Sequence, residues 1–189
     1  MKADILIVGA GIIGLSTAYQ LSLLNPEKKI IVLDKESRAA EHQTGHNSGV
    51  IHSGIYYRPG SYKAEFAKNG SASMIDFCKT HNINYERCGK VIVATEEQEL
   101  QRMRDLYERG LENGLDVELL NGEEVRIIEP FVNTVGGIHV KNTGIVNFRE
   151  VTEKFGELFQ KNNGEIYYNN KVEQVEDKGN FIKVTTETD

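Results

Sequence analysis

The chain has 189 residues, of which 39% are hydrophobic and 26% charged, and its formal charge is −6. This is an ordinary balance for a folded protein, with room for one substantial core or for one domain and a smaller partner. The acidic balance argues against a nucleic-acid partner, which wants a basic surface, but still allows a small anionic substrate in a local cationic pocket.

Residues 4–8 are a short, β-rich apolar run ending at glycine, the pattern of a buried parallel strand. Lys2 and the apolar residues after it imitate a secretory signal, but Asp4 stands at the front of the run and Gly9, Gly11 and Gly14 break it. No run approaches the ~20 apolar residues that span a bilayer, so no transmembrane segment is expected. The expected location is the cytoplasm, with peripheral attachment at the inner membrane left open. Residues 12–24 carry Leu15, Ala18, Tyr19 and Leu21 at helical spacing, and Asn25-Pro26 stops the helix. Residues 30–33 form a second buried strand. Strand, glycine turn, helix and strand in about thirty residues make a βαβ unit.

Residues 41–60 have no helical period and are rich in Gly, His, Asn, Ser and Tyr, which suits a functional or disordered loop. A helix follows to about residue 81, with Ser61 as its N-cap. Residues 84–94 are expected to be a strand pair pivoting at Gly89. Residues 96–113 are expected to be a helix, with Leu100, Met103, Leu106, Tyr107 and Leu111 on one stripe. A strand at 116–120, a short helix at 121–129 and a strand at 136–140 come next. Asn147 with Glu150 resembles a capping box, opening a helix that buries Phe148, Val151, Phe155, Leu158 and Phe159. Strands at 166–168, 172–176 and 181–186 complete the pattern. They point to a larger sheet, yet the sequence stops at Asp189 with no closing helix, so an N-terminal portion of a longer protein is expected. Cys78 and Cys88 are not at metal-ligand spacing, and no metal site is expected.

The chemistry begins at Gly9-Ala10-Gly11-Ile12-Ile13-Gly14, which matches GxGxxG between a strand and a helix. Gly9 makes the turn, Gly11 lets backbone approach a pyrophosphate and Gly14 lets helix and strand pack closely. The first amides of the helix, those of Ile12 and Ile13 among them, then face the phosphates. Asp34 ends the second strand twenty positions after Gly14, where a carboxylate can accept hydrogen bonds from ribose hydroxyls. Lys35 follows it, and no cation replaces Asp34, which disfavours NADP. FAD is preferred to NAD because the second strand runs into a long loop instead of further alternating strands and helices. Such a loop can lie along an extended cofactor.

The stretch from Thr44 through His46, Asn47, Ser48, Gly49, His52, Tyr56, Tyr57, Arg58 and Pro59 to Ser61 resembles the flavin-proximal loop of the D-amino-acid-oxidase-like FAD-dependent oxidoreductases. Within that family it is most similar to the L-2-hydroxyglutarate oxidases and dehydrogenases, and the runs 136–140 and 144–148 fit the same pattern. The resemblance implies an α/β fold, with a Rossmann-like FAD/NAD(P)-binding domain and a mixed α+β substrate domain inserted into it. It implies residues 1–82 as the first part of the FAD domain, 83–146 as part of the substrate domain and 147–189 as the return segment. It also implies that a C-terminal half supplies a further FAD contact and much of the substrate pocket.

The implied reaction transfers a hydride from a 2-hydroxy acid to flavin, with oxygen or a membrane respiratory chain as final acceptor. Thr44, His46, Asn47, Ser48 and Gly49 are expected near the cofactor. The alternative for His46, Asn47 and Ser48 is a turn whose side chains bond their own backbone. His52 is the candidate proton acceptor, since its ordinary titration range suits the task. Arg58 is the candidate carboxylate clamp, with Tyr57 beside it, against the alternative of a solvated surface cation. An amine or amino-acid oxidase of the same fold stays open, as does a nucleotide-binding fragment without turnover.

Overall fold

The computed structural model describes residues 1–187. Its strands are β1 (Ile5–Val8), β2 (Ile30–Leu33), β3 (Val50–Ile51), β4 (Tyr85–Glu86), β5 (Lys90–Ala94), β6 (Val117–Asn121), β7 (Gly136–Val140), β8 (Gly144–Val146), β9 (Glu165–Tyr167), β10 (Val172–Asp177) and β11 (Ile182–Thr186). Its α-helices are α1 (Ile12–Leu24), α2 (Tyr62–His81), α3 (Leu100–Glu112), α4 (Gly122–Ile128) and α5 (Phe148–Lys161). The chain divides into two compact units, one of residues 1–48 with 147–189 and one of residues 49–146. The sequence reading set the first boundary at 82–83, but the second unit begins at Gly49. The reason is a pairing that short strands conceal: β3 joins β8 antiparallel, with Ile51 opposite Gly144.

In the first unit three parallel strands lie in the order β1-β2-β9, and α1 packs against α5. Leu15 and Ala18 of α1 and Val151, Phe155 and Phe159 of α5 are buried, with the Tyr19 and Phe155 rings 5.9 Å apart. All four residues of β2 are buried because strands flank it on both sides. β1, read from sequence as buried, is not: Leu6 is 36% and Val8 59% exposed. Among the described residues β1 pairs only with β2, so one edge and part of one face stay uncovered. Beyond β9, β10 and β11 form an antiparallel hairpin.

The second unit holds two three-stranded sheets, β3-β8-β4 and β5-β7-β6. Its core joins Ile55, Leu115, Val117, Ile138 and Val140, with Ile92 and the α3 residues Met103, Leu106 and Tyr107 packed on it. Leu111, expected on that stripe, is 50% exposed. The expected strand pair at 84–94 does not pair with itself. β4 joins β8 in one sheet and β5 joins β7 in the other. Gly89 makes the change of sheet with φ +70°, and a Cβ there would stand 2.6 Å from His139 Nε2.

Helix starts follow local chemistry. Ser61 Oγ accepts the Ala64 amide at the head of α2, as the sequence suggests. The reciprocal capping box forms at α4, where Asn121 Oδ1 accepts the Glu124 amide and Glu124 Oε2 accepts the Asn121 amide. At α5 the expected box is incomplete. Asn147 Oδ1 accepts the Arg149 amide, and the Asn147 side-chain amide donates to Glu150.

Candidate functional site

The glycine turn joins β1 to α1 within the first unit. Gly9 has φ +106°, a conformation L side chains rarely adopt, so its turn role is real. A Cβ on Gly14 would come within 1.9 Å of the Gly9 carbonyl oxygen, so no side chain fits where helix meets strand. Gly11 is extended, and a Cβ there would meet Thr44 Oγ1 at 3.2 Å, projecting into the space between turn and loop. The first turn of α1 carries no acidic residue to compete with an anion. Ile12 donates its amide to Thr44 Oγ1 at 3.1 Å, and Ile13 turns its side chain outward, 77% exposed.

Asp34 sits at the exit of β2 and reaches the turn itself. Its Oδ2 accepts the Ala10 amide at 2.5 Å and its Oδ1 accepts the Glu36 amide at 2.8 Å. A carboxylate offers about four lone-pair sites, so two further acceptor positions are left for ribose hydroxyls. Asp34 thus fixes the glycine turn and lies where the sugar is expected. Lys35 is exposed and pairs with Glu36 at 3.6 Å.

The loop after Asp34 is ordered by its own bonds. Ala40, at φ +61°, donates its amide to the Ala10 carbonyl. Gln43–Gly45 form a 3-10 turn, which the sequence did not announce. His46 Nδ1 lies 2.9 Å from the His42 carbonyl, and Asn47 donates to the Gln43 and Thr44 carbonyls. His46 and Asn47 therefore bond their own backbone, with Ser48 exposed beside them.

Arg149, which sequence reasoning missed, holds this loop from α5. It donates to Glu41 Oε1 at 2.9 Å and to the Ala39 carbonyl, while Arg38 reaches the same Glu41 oxygen. Together they keep the Glu41 carboxyl below its ordinary range. One signal was available: a cation in the first turn of a helix opposes the helix dipole and so needs another reason to be there.

In the second unit, His52, Ser53 and the turn from Gly54 to Arg58 follow β3. His52 is exposed at its rim; desolvation, then the nearby Lys90 charge, lower its pKa. Lys90 is half-buried, 4.8 Å above the Tyr56 ring, and burial lowers its pKa too. Asn113 and Arg109 of α3 hold the turn by donating to the Tyr57 and Tyr56 carbonyls. Tyr57 is 41% exposed, and Arg58 lines an open depression with Arg109, Asp105, Glu108 and Glu112. Three carboxylates against two guanidiniums give that depression no excess of positive charge. The hydroxyls of Ser53 and Thr143 are buried with no protein partner.

Among the described residues no cluster of three His, Cys, Asp or Glu side chains could hold a metal ion. No helix among them is long and apolar enough to cross a membrane. Cys78 is buried and Cys88 exposed, with no disulfide between them.

The chain is similar to the L-2-hydroxyglutarate dehydrogenase of Escherichia coli strain K12, 47% identical over 183 residues, covering 97% of this chain and 43% of that protein. It is 45% identical over 174 residues to the mitochondrial L-2-hydroxyglutarate dehydrogenase of Homo sapiens, covering 92% of this chain and 38% of that one. It thus spans about two fifths of the length of these relatives. Among solved structures, the FAD-bound L-alpha-glycerophosphate oxidase of Mycoplasma pneumoniae superposes with a TM-score of 0.90 at 27% identity, covering all of this chain and 51% of that one. The glycine oxidase of Bacillus cereus ATCC 14579 gives 0.84 at 25% identity, covering 99% and 52%. The family model described as FAD dependent oxidoreductase matches residues 4–189, so the α/β reading and the FAD expectation meet in one statement: this chain belongs to the FAD dependent oxidoreductase family.

Proposed function

We propose that this chain carries the dinucleotide-binding region of an oxidoreductase that converts L-2-hydroxyglutarate, or a close 2-hydroxy acid, to its 2-oxo acid. The observation that carries the reading is the glycine turn at the head of α1, with no acidic residue in the helix's first turn and Asp34 beside it, in a chain 47% identical to an L-2-hydroxyglutarate dehydrogenase. The residues fit FAD: backbone donors without a competing acid suit a diphosphate, and the spare acceptor positions of Asp34 suit a ribose. Thr44 contributes a hydroxyl at the same edge. The segment 46–49 continues the cofactor contact in this reading, and residues 83–146 contribute to substrate binding.

When bound, FAD supplies the two-electron acceptor for the hydride that leaves the alcohol carbon. His52 takes the hydroxyl proton. A base must be neutral to do so, and both influences on its ring, desolvation and the Lys90 charge, favour the neutral form. Tyr57 and Arg58 complete the expected set, but the carboxylates around Arg58 make it the weaker anchor for an anion. Oxygen or a membrane respiratory chain as final acceptor belongs to the same proposal, as does peripheral attachment at a membrane.

The test is anaerobic flavin bleaching by L-2-hydroxyglutarate, glycine, sarcosine and glycerol 3-phosphate, each offered to the purified flavoprotein. Bleaching by the hydroxy acid supports the reading. Bleaching by an amine alone overturns it.

A further inference from the structure

Lys90 is the cation in the second unit whose surroundings do not explain it. It opens β5 directly after Gly89, whose amide donates to the Thr143 carbonyl at 2.9 Å and whose left-handed backbone packs on His139. The backbone of Lys90 is fixed on the other side by its place opposite Val140 in the ladder. Its side chain is half-buried instead of reaching into water. Lys141 of the same unit pairs with Glu118 at 2.9 Å, whereas among the described residues no carboxylate pairs with the half-buried Lys90.

An ammonium drawn partly out of water without an anion is unfavourable, and stable proteins pair such charges. The Tyr56 ring face returns part of that loss but offers no lone pair to the three N–H donors. The charge of Lys90 is also felt at His52. A cation with spare donors, within electrostatic reach of the proposed proton acceptor, matches a 2-hydroxy acid: its carboxylate is bonded to the carbon that bears the reacting hydroxyl.

We infer that Lys90 binds the substrate carboxylate adjacent to the alcohol carbon, the role the sequence suggested for Arg58. The inference rests on the 2-hydroxy-acid reading above. Binding adds an ion pair and forms no covalent bond, and the Tyr56 ring face lies 4.8 Å from the ammonium. A charge-assisted hydrogen bond of this kind corresponds to about 10–100-fold in affinity.

Three measurements on the flavoprotein decide it. In Lys90→Met, KM for L-2-hydroxyglutarate and the dissociation constant of 2-oxoglutarate, titrated by the flavin spectrum, rise about 10–100-fold while kcat changes much less. Lys90→Arg recovers most of the affinity. In the unmodified protein, 2-oxoglutarate protects Lys90 from acetic anhydride, read as slower acetylation by mass spectrometry, a result that does not depend on any variant folding. Unchanged affinity in a folded Lys90→Met variant, or absent protection, overturns the assignment. Wild-type bleaching by L-2-hydroxyglutarate together with either of those results removes the anchor and leaves the function standing. Bleaching by an amine alone removes the function, and the Lys90 assignment falls with it.

Discussion

The two glycine-marked turns of this chain, at 9–14 and at 54–60, are built on opposite plans. The first is built from backbone: Asp34 accepts the Ala10 amide, Thr44 accepts the Ile12 amide, and the Ala40 amide donates to the Ala10 carbonyl, so other elements brace the turn. The second offers side chains, with His52, Tyr56, Tyr57 and Arg58 all exposed and the peptide groups of Tyr56 and Tyr57 tied back to α3. A backbone site depends on glycine spacing and can be read along one stretch of chain. A side-chain site is assembled from segments far apart in sequence, and no spacing along one stretch announces its members.

The contrast breaks most sharply at Gly14. Gly14→Val drives side-chain atoms into the Gly9 carbonyl, and flavin occupancy, measured by absorbance, falls below about a tenth of wild type. Gly11→Ala meets only a hydroxyl at 3.2 Å and retains more cofactor. Equal retention in the two variants would mean that the close approach of α1 to β1 is not what holds the dinucleotide.

On the other turn, His52→Gln leaves flavin content unchanged and lowers kcat/KM by about 10²–10⁴-fold, the range of a lost general base. Next in size is Arg149→Met, which takes away the long-range tie on Glu41 and Ala39. FAD then dissociates about tenfold faster, with the substrate KM unaffected.

A smaller effect is one of pH. Desolvation first and Lys90 second hold His52 below its ordinary value, so the acid limb of kcat/KM lies below the usual histidine range. Lys90→Met moves that limb upward only part of the way, because desolvation remains. The sign carries over to stability. The unfolded chain binds a proton at His52 more readily than the folded one, so stability at this site is lost as pH falls through the ordinary range. Least of all is expected from Glu157→Gln. Lys154 and Lys161 hold that carboxyl at about 2, yet the trio stands on an open helix face, and its loss leaves Tm and activity unaltered.

Much of the fold was legible because its signals are local. The βαβ unit, the Ser61 cap and the strand at 136–140 each follow from a few neighbouring residues. What escaped was non-local or too short to have a period. β3 and β8 have two and three residues, so no alternation could announce them or move the unit boundary to Gly49. The capping motif at Asn121 and the one at Asn147 look alike in sequence, and only backbone geometry separates the complete box from the partial one. The burial of β1 was overread because an apolar run does not say how many neighbours a strand has. Near the glycine turn, the place of Asp34 at the end of β2 was legible but its bond to the Ala10 amide was not, since that depends on the approach of two strand ends.

The interruption of the first unit by residues 49–146 has a consequence for the order of assembly. Its central strand β2 needs β9, and α1 needs α5, so more than a hundred residues must be synthesised before either partner exists. The second unit is one continuous stretch and can consolidate while the ribosome is still extending the chain. Pulse-labelled hydrogen exchange during refolding should therefore protect the amides of β5 and β7 before those of β2, and the glycine turn should acquire its shape last.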